Sequence, residues 1–283
     1  MKLVSWNVQW CLGVDGRVDP ARIVREARAF ADFDVLCLQE VACNFPALEG
    51  SRGEDQFSII AGLLPGYTAI AGIAVDSAAP DGSRRTFGNM VLSRLPVQQA
   101  TRVQLPWPTD PTLRGMPRML VETVVRAPFG LLRVMTTHLE YYSARQREAQ
   151  VDGLRERHAE ACAHALEDRI VDESEGPFQS QTQTVSAVVT GDFNCKATDA
   201  AYARMSARFD DAAVPAFDDV WQRLHPALAQ PPTAGVHDHD QWKEAYACDF
   251  VFATRDLRER LRKVEVDGQT QASDHQPMMV ELA

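Results

Sequence analysis

The polar and apolar positions along the chain predict many short β-strands separated by a few helices. Several runs rich in Val, Leu, Phe and Met are bounded by turn residues, as strands usually are. They are Leu3–Val8, Asp34–Gln39, Met90–Ser93, Met119–Val125, Leu131–Thr137, Val185–Thr190, Phe250–Phe252 and Met278–Leu282. Strands in both halves of the chain, with helical segments between and after them, favour sheets that pack together under a cover of helices.

Two longer segments carry the signals of amphipathic helices. In Asp19–Asp32, Asp19 is placed to cap a helix and Pro20 occupies its first turn. The longest helix is predicted to begin at Ser143, because Ser143 and Gln146 have the spacing of a capping box. Apolar residues then recur on one face to about position 173, which predicts a helix of roughly eight turns.

Two shorter helices and two irregular segments complete the pattern. Thr198 and Thr254 are expected to cap the shorter helices, and the second helix is expected to cover Leu261. Gln104–Pro117 and His225–Cys248 follow neither the helical nor the strand period. Long irregular segments inside a domain are more often functional than idle, so both are expected to lie near a site.

Composition narrows the class of protein. The 283 residues are 45% hydrophobic and are expected to form one domain, 1–283. Against 39 acidic residues stand 29 Lys and Arg, a formal charge of −10, which argues against broad binding to duplex nucleic acid. No C-x-x-C pair occurs among the six cysteines, which favours buried free thiols. We expect a soluble cytoplasmic protein with no membrane span, and nothing in the sequence indicates an obligate protein partner.

Polar residues stand where the predicted strands begin or end. They are Asn7, Glu40, His138, Asp192, Asn194, Asp249, Asp274 and His275. Strand ends converge on one rim of a sheet, so these side chains can share one pocket. Carboxylates hold hard cations such as Mg²⁺, an Asp can orient an attacking water, and Asn and His can donate to phosphoryl oxygens. The set therefore suits metal-assisted hydrolysis of a phosphoester.

Seven short motifs carry a resemblance to a known superfamily. They are SWNVQW, LQE, GNMVLSR, THLE, GDFN, CDFVF and SDHQP, in that order from Ser5 to Pro277. The chain resembles the endonuclease/exonuclease/phosphatase superfamily of deoxyribonuclease-I-like phosphoesterases. The resemblance implies an α/β four-layer sandwich, in which two packed mixed or antiparallel β-sheets carry helices on their outer faces. Each motif alone is weak, and their joint order gives the resemblance its specificity.

The resemblance also implies a divalent cation, Mg²⁺ or Mn²⁺, and the residues that hold it. Glu40 of LQE matches the principal metal ligand. Asn7 of SWN lies beside it in the family pattern and is expected to bind metal or phosphate. Asp274 of SDH is expected to assist with the metal or with a second metal position.

The catalytic roles follow from the remaining motifs. By resemblance, Asp192 positions or activates the nucleophilic water, and Asn194 donates to the phosphate in the transition state. His275 contacts the phosphate or transfers a proton, Asp249 orients His275, and His138 is a second histidine that faces the phosphate. The resemblance gives Asn89 of GNMVLSR a supporting place near the substrate, and the expected substrate is a phosphoester, with nucleic acid among the candidates.

Other residues have a structural and a functional interpretation. His237 and His239 alternate in a way that could place both on one cation, although a solvated loop is the favoured interpretation because no third ligand has zinc-like spacing. Trp10, Trp107 and Trp242 could stack on a base or an aromatic leaving group, but packing into the domain is favoured for each. Four arginines could grip substrate phosphates: Arg84, Arg85, Arg114 and Arg118.

Three functional hypotheses remain open on the sequence. The first is a nuclease or DNA-end phosphodiesterase, which the arginines favour and the acidic total weakens. The second is a phosphatase or phosphodiesterase of a small molecule or phospholipid head group, which the acidic total favours. The third is a catalytically silent binding module of the same fold, which would predict gaps in the polar set, and the sequence has none.

Overall fold

Two six-stranded β-sheets form the centre of the protein. The computed structural model describes residues 1–167, 170–174 and 176–283. One sheet has the strand order β11-β12-β1-β2-β4-β3 and the other β5-β6-β7-β8-β10-β9. The strands are β1 (Lys2–Asn7), β2 (Val35–Cys43), β3 (Thr68–Ala78), β4 (Arg84–Ser93), β5 (Val97–Gln104), β6 (Met119–Ala127), β7 (Gly130–His138), β8 (Ala187–Asp192), β9 (Phe217–Asp219), β10 (Asp249–Thr254), β11 (Leu261–Val266) and β12 (Met278–Leu282).

Helices cover the outer faces of both sheets, which confirms the four-layer sandwich. The covering helices are α1 (Pro20–Phe30), α2 (Gln56–Leu63), α3 (Ala144–Leu166) and α4 (Ala200–Met205). A fifth helix, α5 (Val220–Leu224), packs into the core between the sheets, and 3-10 segments occur at Gln9–Cys11 and Arg255–Arg260. Helices α1 and α2 pack on the first sheet, and α3 and α4 pack on the second. None of the helices that the structure describes is both long and apolar enough to cross a bilayer.

Alternation along the strands decides which apolar side chains face which layer. In β1, Leu3 points into the core between the sheets, and Val4 packs outward against α1. In β8, Val188 belongs to the inner core and Val189 to the layer under α3. Both faces of these strands are therefore buried, which explains why they read as nearly continuous apolar runs.

The central strands bring the motif residues to one end of the sandwich. Strands β1 and β2 are parallel, as are β7 and β8, and the two pairs belong to different sheets. In register, His138 at the end of β7 pairs with Asp192 at the end of β8. The carboxyl ends of β1, β2, β7 and β8 lie at the same end of the sandwich, so the polar residues at these ends meet across the gap between the two sheets.

The helix caps were predicted with mixed success. Asp19 and Ser143 accept hydrogen bonds from the backbone N–H groups three residues on, as predicted. Helix α3 ends at Leu166, so the prediction that it continues to about position 173 was wrong, although residues 168 and 169 lie outside the described part of the chain. Every cysteine is free, and Cys43 alone of the six is only half-buried.

The two shorter predicted helices also differ from the structure. Helix α4 begins after Asp199, one residue beyond Thr198, which was the predicted cap. Thr254 does precede a helical segment, but its hydroxyl bonds to the backbone of Ala187 instead of capping. The segment is a short 3-10 helix, and Leu261 starts an edge strand.

Candidate functional site

A cleft of about 750 Å³ opens at the end of the sandwich where the polar strand ends meet. Seven of the predicted site residues line it: Glu40, Arg118, His138, Asp192, Asn194, Asp274 and His275. Asn7 and Asp249 are buried directly behind these residues and hydrogen-bond to them. The structure therefore brings together side chains that are up to 268 positions apart, from Asn7 to His275.

Glu40 reaches the cleft because β2 is irregular at this point. The pairing of β2 with β4 shifts register between Leu38 and Val41, and Glu40 has a φ of +61°. A left-handed conformation is strained for a residue with a Cβ, and such strain is concentrated at functional sites. The bulge turns the Glu40 carboxylate toward Asn7, whose Nδ2 donates to Glu40 Oε1 at 3.0 Å.

Asp192 lies at the centre of the cluster. Its Oδ2 accepts from Asn7 Nδ2 at 3.0 Å and lies 3.5 Å from His138 Nε2 and 3.8 Å from His275 Nε2. Its Oδ1 accepts from the backbone N–H of Asn194 at 2.8 Å, which fixes the carboxylate plane. Gly191 permits this arrangement, because a Cβ there would lie 1.9 Å from the Thr137 carbonyl oxygen.

His275 and Asp249 form a buried pair. His275 Nδ1 lies 2.8 Å from Asp249 Oδ2, so the carboxylate holds the proton on Nδ1 and leaves Nε2 facing the cleft. Burial alone would lower the pKa of His275, but Asp249 and then Asp274 outweigh it and raise that pKa well above the ordinary value. His138 behaves in the opposite way, because burial and then Arg118 lower its pKa well below the ordinary value. The pKa values of the two imidazoles are therefore shifted in opposite directions.

Asp274 is held by residues from the irregular segments. Its Oδ2 accepts from Trp242 Nε1 at 3.0 Å and from Gln241 Nε2 at 3.1 Å. Gln241 in turn accepts from Gln9 Nε2 at 2.9 Å, and Gln9 lies in the 3-10 turn that follows β1. Through these contacts the irregular stretch His225–Cys248 packs against the cleft.

Burial makes the carboxylates of the cleft reluctant to ionise. Burial and then Asp274 raise the pKa of Glu40 to about 7. Burial raises the pKa of Asp192 to about 6 against the opposing effect of His275, and burial also raises the pKa of Asp274. A cation bound among these groups would remove the cost of ionising them.

The donor set fits a hard divalent cation. Glu40, His138 and Asp192 offer ligand atoms that all lie within 4.8 Å of one another. A second such group joins Asp192 and His275 with Cys248, but burial raises the pKa of the Cys248 thiol well above its ordinary value, so a thiolate is disfavoured. Oxygen-rich sets of the first kind suit Mg²⁺ or Mn²⁺.

Asn7, Asn89 and Arg118 lie at different depths relative to the cleft. Asn7 accepts at Oδ1 from the backbone N–H of Gln9, so it presents its amide N–H to the cluster and orients carboxylates there. Asn89 is buried, donates to the Met119 carbonyl oxygen across the sheets and does not line the cleft. Arg118 does line the cleft; its Nε bonds to Glu140 at 3.4 Å, and its buried Nη1 has no partner among the described residues.

The remaining candidates separate into two groups. Trp10, Trp242 and Arg114 line the cleft, whereas Arg84 pairs with Asp76 on the surface. Half of the Trp107 side chain is exposed, so the prediction that it packs into the domain was wrong. His237 bonds to the Gly268 carbonyl oxygen and is in neither group of potential metal ligands found in the described residues, which agrees with the solvated-loop interpretation.

Sequence reasoning missed several residues of the cleft wall. Tyr141 and Tyr142 follow the THLE motif and line the cleft, and Glu140 of that motif accepts from the Tyr142 backbone N–H at 3.0 Å. Gln241 also lines it. The usable signal was position in the chain, because these residues directly follow a motif or lie in a long irregular segment.

Comparison with known proteins agrees with the geometry. The sequence profile of the Endonuclease/Exonuclease/phosphatase family matches residues 4–275, and no curated protein matches the chain.

Among solved structures, an endonuclease/exonuclease/phosphatase from Beutenbergia cavernae DSM 12333 is 24% identical with a TM-score of 0.67, over 100% of this chain and 72% of that one. A mannosyl-6-phosphatase from Bacteroides thetaiotaomicron VPI-5482 is 17% identical with a TM-score of 0.66, over 100% and 99%. D. rerio TDP2, complexed with single-strand DNA product, is 18% identical with a TM-score of 0.65, over 100% and 98%. Because the profile spans nearly the whole sequence and the fold agrees, the chain belongs to the Endonuclease/Exonuclease/phosphatase family of phosphoester hydrolases.

Proposed function

We propose that this protein is a divalent-metal-dependent phosphoesterase in which Asp192 acts on the attacking water. The carrying observation is the position of Asp192 Oδ2, which lies within 3.8 Å of Asn7, His138 and His275 in one cleft. A carboxylate surrounded by nitrogen donors and facing an open cleft is placed to orient a water and accept its proton.

Glu40 would hold the cation, with Asp192 offering a ligand oxygen beside it and Asp274 adding negative charge nearby. Burial raises the pKa of Glu40 and of Asp274, and a bound cation would favour the ionised form of both carboxylates. Asn7 orients Glu40 and Asp192 through one amide group. When bound, Mg²⁺ or Mn²⁺ would neutralise charge on the phosphate and help to orient it.

The protein's own groups supply the remaining steps. His275 Nε2 faces the cleft with a proton that Asp249 stabilises, so it donates to a phosphoryl oxygen as negative charge develops. Arg118 Nη1 is a buried donor without a partner in the described residues, and a substrate phosphate would satisfy it. Asn194 donates one side-chain N–H to the Leu139 carbonyl oxygen, so it would have to donate its second amide hydrogen to a phosphate.

The charges of the cleft favour a phosphate at a chain end or in a small molecule over one inside a duplex. Arg114 and Arg118 are the two basic side chains among the described residues that line the cleft, and Arg118 pairs with Glu140. Binding of a long polyanion usually draws on many phosphate contacts. DNA ends and small phosphoesters therefore remain the two candidate substrate classes.

The test is hydrolysis of bis(p-nitrophenyl) phosphate and p-nitrophenyl phosphate with Mg²⁺ or Mn²⁺, before and after EDTA. We expect turnover that EDTA abolishes and that Asp192→Asn lowers by roughly 10²-fold or more, while Asp210→Asn, at an exposed Asp, has no effect. A panel of nicked DNA, single strands, sugar phosphates and lipids then separates the substrate classes. EDTA-resistant turnover, or a fully active Asp192→Asn protein, would refute the proposal.

A further inference from the structure

A row of aromatic side chains leads away from His275 along one side of the cleft. The ring of Trp242 lies 5.8 Å from the imidazole of His275 in an edge-to-face arrangement. Tyr141 follows at 6.2 Å from Trp242, and Tyr142 at 4.9 Å from Tyr141. We call Trp242, Tyr141 and Tyr142 the aromatic wall.

The outer part of this wall is exposed although it is apolar. Tyr141 and Tyr142 are 45% and 40% exposed, and both line the cleft. Partly exposed tyrosines are common on protein surfaces, but these two rings are adjacent and line the same cleft. A ligand that covers them would gain free energy by burying their apolar surface.

The wall is held in place without a ligand. Glu140 accepts from the backbone N–H of Tyr142, and Arg147 donates to the carbonyl oxygens of Glu140 and Tyr141. The guanidinium of Arg114 lies 4.5 Å from the centre of the Tyr142 ring. Rings that are positioned in advance lose little conformational entropy when a partner binds against them.

The geometry points to a flat aromatic group on the substrate, attached close to the phosphate, as the partner of this wall. The inference rests on the proposed phosphoesterase function and names its substrate class. With the phosphate next to His275, a planar group within a few bonds of the leaving oxygen would extend along Trp242 and Tyr141. A nucleobase or an aryl alcohol has a π-face that can stack on such rings, whereas a simple sugar phosphate has none.

Paired esters with leaving groups of matched acidity test this inference in catalysis. We compare phenyl and fluoroalkyl esters in wild type, Tyr141→Leu and Tyr141→Phe; leucine removes the ring, and phenylalanine keeps it. Wild type should prefer the aromatic ester in kcat/KM by roughly fivefold or more, the range expected of one stacked ring. Tyr141→Leu should lose that preference, and Tyr141→Phe should keep it.

A binding measurement decides the question even if turnover is not detected. We titrate AMP, phenyl phosphate and ribose 5-phosphate into the protein with Ca²⁺ and follow the heat of binding. AMP or phenyl phosphate should bind at least about fivefold more tightly than ribose 5-phosphate, and Tyr141→Leu should remove the difference. The AMP and phenyl phosphate arms distinguish a base from an aryl group. Equal affinity for all three compounds would overturn the inference, and so would an equal loss of affinity for all three in Tyr141→Leu. If the aromatic compounds bind preferentially but no ester is turned over, the proposed function is refuted instead.

Discussion

Replacing Asp249 with Asn tests the buried pair that orients His275. The substitution keeps the size of the side chain but removes the negative charge 2.8 Å from His275 Nδ1. Both residues are about 3% exposed, so water cannot take over the contact. Asp249 itself does not line the cleft, and its loss should act through His275 alone.

The magnitude follows from the strength of such a contact. A buried hydrogen bond to a charged group contributes about 1.5–3 kcal/mol, which corresponds to roughly 10- to 150-fold in rate. An Asn amide can also donate to the ring and favour the wrong tautomer, and the equivalent change in a serine-protease triad costs about 10⁴-fold. We therefore expect kcat to fall by roughly 10- to 10⁴-fold with little change in KM.

The pH profile separates this role from a merely structural one. Asp249 helps to raise the pKa of His275, so the protonated and active form persists to high pH in wild type and is lost as pH rises through that pKa. Without the carboxylate, the high-pH limb of kcat should move to lower pH. Asp218→Asn, which disrupts surface pairs with Arg255 and Arg258, is the control. A kcat within threefold of wild type and an unmoved limb would contradict the reasoning.

Three further predictions concern metal binding, backbone geometry and stability. Glu40→Gln should weaken Mn²⁺ binding by about 10-fold or more in calorimetry. The same variant should have a free energy of unfolding about 2 kcal/mol higher in EDTA at pH 8, because folding forces the ionised Glu40 of the wild type into an unfavourable site. A destabilised variant would contradict this. Gly191→Ala should lower stability by at least about 2 kcal/mol and abolish turnover, because its Cβ would lie 1.9 Å from the Thr137 carbonyl oxygen; a normal urea midpoint would count against it. Burial and then Arg133 lower the pKa of His158 to about 3, so the unfolded chain binds a proton below pH 6.5 that the folded chain does not. Stability should therefore be fully present above pH 6.5 and fall by up to about 1.4 kcal/mol per pH unit toward pH 3, a slope that urea titrations should find reduced in His158→Gln.

The sequence by itself determined the inner strands and the chemistry of the site. Strands buried on both faces, such as β2 and β8, read as apolar runs because each of their positions is selected for burial. The strands missed were β3, β5, β9 and β11, which are the four sheet edges. In β5, half-buried positions alternate with exposed ones, and the exposed ones include Gln98 and Arg102. The strand therefore has too few apolar residues to be recognised from local hydrophobicity.

Tertiary structure alone decided which atoms of the site residues face the cleft. Asn7 and Glu40 were identifiable as site residues, but the orientation of the Asn7 amide depends on the Gln9 backbone and on a turn with positive φ. The aromatic wall joins residues 141, 142 and 242, and no local pattern links them because their contact depends on how two irregular segments pack. Local sequence records the burial and chemistry of each position, whereas distances between remote segments arise only when the two sheets close on their common core.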